Sequence, residues 1–324
     1  MKSRIVTNQE EIEQLKEDRQ PNIFTLPEHR KDEKFALDPH KDYTVSQPVS
    51  FRWRSVLWAR NMLIDVLAST HDGMNVALKN KIHNNSRDFN TDNVKKSKSS
   101  FKIGKVGVCE HTAALINGMG LHANFIVSVN NFPNFNEGIY KILSEIAPVL
   151  VEKWESKLMT VKEPIAIRFG KKWYFMLEPD QGEHKLIVDH QFSHKNHLGD
   201  QRIEIEITPE VFAHIASARP PAYGFRAAVS RKLKLFKIKR LPFLWLDAKN
   251  VVFVNKKNIW NPNPAFDDEE WINREVLLHE VIDKLGALGI LPGRFVGRVT
   301  TFYTNHKKDV EAMKTVYKEL IECK

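Results

Sequence analysis

The chain has 324 residues, 42% of them hydrophobic, enough to build extensive cores and to exclude an intrinsically disordered protein. Its two cysteines, Cys109 and Cys323, stand far apart without CxxC spacing, which excludes a disulfide framework and a cysteine zinc site and fits a reducing compartment. The formal charge of +9 invites an anionic partner: a phosphate-bearing substrate, a nucleic acid or an acidic membrane surface.

The opening residues lack the apolar region of a secretory signal, and no apolar run is long enough to span a bilayer, so a cytoplasmic protein is expected. Residues 1–45 are charge-rich and weakly periodic apart from a short helix at 9–17, and read as an extension wrapped on the body. Residues 46–155 read as a first α+β domain. Within it, Lys95, Lys96, Lys98, Lys102 and Lys105 lie in a Ser-rich stretch that reads as a solvated linker. A helix at 109–117 stops at Gly118-Met119-Gly120, a strand follows at 124–130, and helical spacing resumes over 138–151.

Residues 155–163 read as a linker, and 156–324 as a second α+β domain. A hairpin at 164–169 and 173–177 turns at Gly170-Lys171, strands follow at 185–190 and 202–207, and Thr208-Pro209 opens a helix as N-cap and first position. The segment RKLKLFKIKR at 231–240 alternates cations with apolar residues, which suits either the rim of a site for an amphiphile or a surface strand. A strand at 250–255, a helix at 273–288, a strand at 294–303 and a helix at 307–321 complete an α+β order in which two similar halves are expected.

Three elements carry chemistry. His279 and Asp283 sit four apart in a helical stretch, so both side chains face one way and can share an ion, although the same pair also suits a surface hydrogen bond. Glu110 and His111 open another helix, placing a general-base type beside a ligand type; alone, they read equally as a first-turn glutamate and a core-edge histidine. His306, between a strand and the last helix, is the third element, or else a capping histidine.

The segments VCEHTAALINGMG and REVLLHEVIDKLGALGILPGRFVGRVTTFYTNHKKDVEAM resemble the first and last motifs of the UDP-3-O-acyl-N-acetylglucosamine deacetylase family, which acts in lipid A synthesis. RFGKKWYFMLEP and QRIEIEITPEVFAHIASARPPAYGF are similar to it too, and the resemblance covers residues 105–321 in order. It implies two βααβ-type sandwich domains with Zn2+ between them, held by His111, His279 and Asp283 with one position open for water. It further implies Glu110 as general base and His306 as the group that stabilises the oxyanion or protonates the leaving amine. The implied substrate is an anionic, acylated amino sugar, with peripheral contact at a membrane surface compatible and no nucleic acid expected.

The chain departs from the family at three positions: Glu280 replaces a lysine, Ala287 an aspartate that orients the catalytic histidine, and Pro220 a threonine that helps hold the oxyanion. An acyl-chain passage would fall at 226–247, where Leu233, Phe236, Leu241 and Trp245 supply apolar surface or core packing. Three readings follow: a deacetylase of an N-acetylated sugar, a hydrolase of another N-acyl amide, and a catalytically weak homologue that binds an anionic or acylated ligand. No RNA- or DNA-binding signature is present to support a nucleic-acid partner.

Overall fold

Apolar alternation folds two stretches of this chain into the same strand order. The computed structural model describes residues 3–17, 19, 33–55, 60–79, 87–96, 100–107, 109–128, 132, 136–153, 157–193, 198–223, 251–254, 259–261, 265–266 and 269–323. The N-terminus forms β1 (Ser3–Val6) and α1 (Gln9–Glu17). The first stretch then runs through β2 (Asp42–Val45), β3 (Val49–Ser55), β4 (Arg60–Ala68), β5 (Asn75–Leu78), β6 (Arg87–Asp88), β7 (Val94–Lys96), β8 (Phe101–Ile103) and β9 (Val106–Gly107). It continues with α2 (Glu110–Met119), β10 (Ala123–Val127), α3 (Asn136–Ile146) and β11 (Leu150–Lys153).

The second stretch comprises β12 (Leu158–Val161), β13 (Ile165–Phe169), β14 (Trp173–Glu178), β15 (Leu186–Ser193), β16 (Asp200–Glu206), α4 (Pro209–Ile215), β17 (Pro221–Tyr223), β18 (Val252–Val254) and β19 (Ile259–Trp260). It ends with α5 (Glu269–Leu288), β20 (Arg294–Phe295), β21 (Gly297–Phe302), α6 (His306–Val316) and β22 (Leu320–Glu322).

One sheet orders its strands β3-β4-β10-β5-β6 and the other β1-β13-β14-β21-β15-β16. In both, a hairpin pair lies antiparallel beside a later strand, and that strand runs parallel to the third: β4-β10-β5 matches β14-β21-β15. Even the small antiparallel pairs correspond, β2 with β11 and β12 with β22.

Side chains of the second sheet alternate between two cores, as the period of a strand requires. Ile165, Ile167, Phe175 and Leu177 face the main core, while Ala166, Tyr174 and Met176 face Val6, Ile12 and Leu15 of the N-terminal segment. The extension therefore does more than wrap: β1 adds an edge strand to β13, and α1 covers the sheet face behind it.

Five element assignments differ from the sequence reading, one being the strand expected at 294–303, which is two strands, β20 and β21, in separate sheets. The lysine-rich stretch is a small sheet, β7-β8-β9, with Val94, Phe101, Ile103 and Val106 buried, because apolar residues alternate with its lysines. The linker at 155–163 contains β12, which pairs with both β20 and β22. The helices expected to reach 151 and 321 stop at Ile146 and Val316; each passes through a single 3-10 turn into a strand. Residues 226–247, including the basic-apolar segment, lie outside the described residues.

Candidate metal centre and active site

The site forms where α2 and α5 cross. Every residue of α2 is buried, and α5 is buried from Glu275 to Leu288 except at half-buried Glu280, so α2 and the C-terminal two thirds of α5 are almost wholly enclosed by protein. Glycine allows them to touch. A Cβ at Gly286 would lie 2.2 Å from the Glu110 carbonyl oxygen, and one at Gly289 would lie 2.2 Å from that of Ala113. The start of α2 is thereby pressed onto the C-terminal end of α5. Gly120, with φ +63°, then ends α2 in the left-handed region.

This crossing brings together residues distant in the sequence. His111 Nε2 lies 3.2 Å from Asp283 Oδ1, and His279 Nε2 lies 3.6 Å from Asp283 Oδ2. The two imidazoles stand nearly perpendicular, with ring centroids 5.0 Å apart. His279 and Asp283 share one face of α5, as their spacing of four predicts. His306, the first residue of α6, places Nε2 3.6 Å from Asp283 Oδ2.

The donor set fits a zinc ion. Ligand bonds of about 2.0–2.1 Å in a tetrahedron put neighbouring ligand atoms roughly 3.3 Å apart, close to the spacing of His111, His279 and Asp283, whose ligand atoms all lie within 4.8 Å of one another. Two further observations agree. His279 Nδ1 is 3.3 Å from the Ala218 carbonyl oxygen, so it carries the hydrogen and leaves Nε2 as a lone-pair donor. His111 Nδ1 is buried without a hydrogen-bond partner among the described residues.

Burial and charge set the protonation states. Burial pushes His279 down to about 4 against the attraction of Asp283, which keeps it neutral as a ligand must be. Burial would raise Asp283, but His306, His279 and His111 together hold its carboxyl well below the usual range. Burial raises Glu110, against the pull of His306 and His111. Burial would lower His306, but Asp283, Glu110, Asp309 and Glu280 hold it above the ordinary histidine value.

Other residues at the site were not legible in the sequence. The Phe101 N–H donates to Glu110 Oε2 at 3.1 Å, so the β7-β8-β9 sheet fixes the carboxylate. Lys284, sealed from solvent beside Asp283, donates to Asp309 Oδ2 at 2.9 Å and lies 3.5 Å from Glu280 Oε2. Just before His306, Tyr303 holds φ +52°, a left-handed conformation unusual for a bulky side chain and pinned by its N–H to the Gln191 carbonyl.

Residues 42–318 match the model of the UDP-3-O-acyl N-acetylglycosamine deacetylase family. The chain belongs to this family. It is 24% identical over 209 residues to UDP-3-O-acyl-N-acetylglucosamine deacetylase of Methylococcus capsulatus, covering 62% of this chain and 64% of that protein. The enzyme of the same description from Citrifermentans bemidjiense is 25% identical over 71% of this chain and 74% of its own, and that of Nitratiruptor sp. is 22% identical over 68% and 71%. The chain thus spans just under two thirds of the first of these relatives, and it is a divergent member of the deacetylase family.

Its departures have clear surroundings. Ala287 is packed in the core, and Glu280 faces Lys284. The Pro220 carbonyl accepts the Val252 N–H at 3.0 Å, tying the turn before β17 to β18. Among the described residues, no helix is long and apolar enough to cross a membrane.

Proposed function

We propose that the chain is a zinc-dependent hydrolase that removes the N-acetyl group of an acylated amino sugar, as the printed description of its relatives suggests for them. The observation that carries this reading is the convergence of His111, His279 and Asp283 beside a buried Glu110 and a His306 that lies 3.6 Å from Asp283. The matching strand order of the two sheets supports two similar halves, 46–155 and 156–324, with the metal site at their junction.

Zinc, when bound, supplies Lewis-acid polarisation and an acidified water. Glu110 has one oxygen committed to the Phe101 N–H; the other takes the proton of the attacking water. Its raised pKa makes it a stronger base than a solvent-exposed glutamate. His306, whose pKa is raised by the surrounding carboxylates, stabilises the oxyanion or donates to the leaving amine. Burial of Glu110, His111, His279 and Asp283, with His306 at the partly exposed edge, limits bulk water and strengthens these interactions.

A second reading has its own support. Glu280 places a half-buried carboxylate where the family resemblance implies a lysine, which disfavours an oxyanion or an anionic group nearby and suits an amide other than that of a nucleotide-linked sugar. Metal content measured together with acetate release from a panel of N-acetyl sugars, sugar nucleotides and simple N-acyl amides separates the two. Acetate release confined to the sugar nucleotides supports the first reading. Release only from uncharged amides supports the second, and a zinc-free, inert protein sinks both.

A further inference from the structure

The stretch between α4 and β17 contains one peptide group held from both sides. Its carbonyl, that of Ala218, accepts from His279 Nδ1 at 3.3 Å. Its N–H, that of Arg219, donates to Glu275 Oε1 at 3.1 Å. A trans peptide is planar, and its N–H and C=O point in opposite directions, so the unit cannot rotate without breaking both bonds. Glu275 and His279 lie four apart on α5 and therefore share its face. The helix that carries the imidazole also carries, one turn earlier, the carboxylate gripping the peptide that orients it.

Glu275 is itself fixed. Its carboxylate is fully buried and accepts from Arg219 Nε at 2.6 Å and Nη2 at 2.9 Å, from Asn261 Nδ2 at 2.8 Å and from the Ala265 N–H at 3.4 Å. A buried carboxylate persists only when its lone pairs are filled in this way. A fold-stabilising ion pair would need only the guanidinium. The bond to the Arg219 backbone N–H links the pair to the metal centre.

We propose that Glu275 is a positioning residue for His279: through the Ala218–Arg219 peptide it holds the ring in the Nδ1–H tautomer and aims Nε2 at the metal position. The inference rests on the reading of His279 as a zinc ligand, but the clamp itself is a property of the metal-free chain. Partners that fix a ligand's tautomer typically contribute roughly 10–100-fold to metal affinity.

The test uses the full chain with two readouts: imidazole nitrogen NMR shifts of the metal-free protein, and zinc dissociation constants from chelator competition. Glu275→Gln keeps one acceptor oxygen but turns an NH2 toward the Arg219 and Asn261 donors, so the grip on the peptide is disrupted; it is expected to lose the single Nδ1–H tautomer of His279 and to bind zinc roughly 10–100-fold more weakly. Arg219→Lys keeps the backbone bond but loosens the carboxylate, and is expected to shift both readouts in the same direction by less. It serves where Glu275→Gln does not fold. Asp42→Asn breaks a different buried pair, that with Arg294, and is expected to lower stability while leaving tautomer and zinc affinity as in the wild type. Wild-type tautomer and affinity in the folded variants of Glu275 or Arg219 would overturn the clamp, as would an equal loss in Asp42→Asn. If the wild type binds no zinc, the proposed function fails, and the tautomer comparison still decides the clamp.

Discussion

Lys284 Nζ lies 2.9 Å from Asp309 Oδ2, and both side chains are sealed from solvent between α5 and α6. Burial would strip the lysine of its proton, but Asp309, Glu280 and Asp283 hold it charged. The family resemblance implies a lysine at 280 and an aspartate at 287. This chain has neither, yet a cation and a carboxylate stand within the same two helices at other positions. Removing one partner of a buried pair strands the other. Lys284→Met is therefore expected to cost about 3–5 kcal/mol of stability, and Lys284→Met with Asp309→Leu to recover most of it in urea unfolding. A single variant that unfolds at the wild-type midpoint would show that the pair is not holding the helices together.

Glu110→Gln preserves shape and the bond from Phe101 but cannot take a proton. Zinc content is expected to remain near wild type while amide hydrolysis falls by roughly two to four orders of magnitude. An unchanged turnover in zinc-loaded protein removes Glu110 from the mechanism.

The pH profile reports on His306. Its pKa is raised by carboxylates, so removing one lowers it and moves the alkaline limb of turnover to lower pH. Asp309→Asn is expected to produce the larger shift and Glu280→Gln the smaller, following their contributions to the field at the ring. His306→Ala with an unaltered profile would mean that the proton reaches the leaving amine by another route.

Metal-free protein is expected to lose stability on acidification. His279 has a folded pKa near 4 against 6.5 for the free side chain, so below pH 6.5 the unfolded chain binds the extra proton first. Stability conferred above that pH is lost as the pH falls toward 4, by roughly 3 kcal/mol for a shift of this size. Unfolding midpoints measured across this window should fall less steeply in His279→Gln. Equal slopes in the two proteins would remove His279 as the source.

Gly286→Ala tests the helix crossing. Alanine is the better helix former by about 1 kcal/mol, but its methyl group would meet the backbone oxygen of Glu110, which has little room to give. Overpacking of this kind costs about 1–3 kcal/mol. It should also displace Glu110 and His111 relative to Asp283, so the expected result is a lower melting temperature together with weaker zinc binding. A more stable variant with wild-type zinc affinity would contradict the close approach.

Local pattern alone determined much of this protein. The hairpin at Gly170, the Thr208 cap, which accepts the Val211 N–H at 3.3 Å, helix α1 to the residue, and the shared face of His279 and Asp283 all follow from turn chemistry and periodicity, which act over a few residues. The motifs also singled out Glu110, His111 and His306. What the sequence left open was which distant groups meet. Lysines 95–105 looked like a solvated run because their charge is visible locally, whereas the burial of Phe101 and its N–H bond to Glu110 depend on where β8 packs. Pairings such as Lys284 with Asp309 and Glu275 with Arg219 follow no spacing rule, because buried charges pair with whatever the packed helices and turns place within reach. Only the tertiary structure, by pressing α5 onto α2 at two glycines, decided that His111 and Asp283 stand 3.2 Å apart.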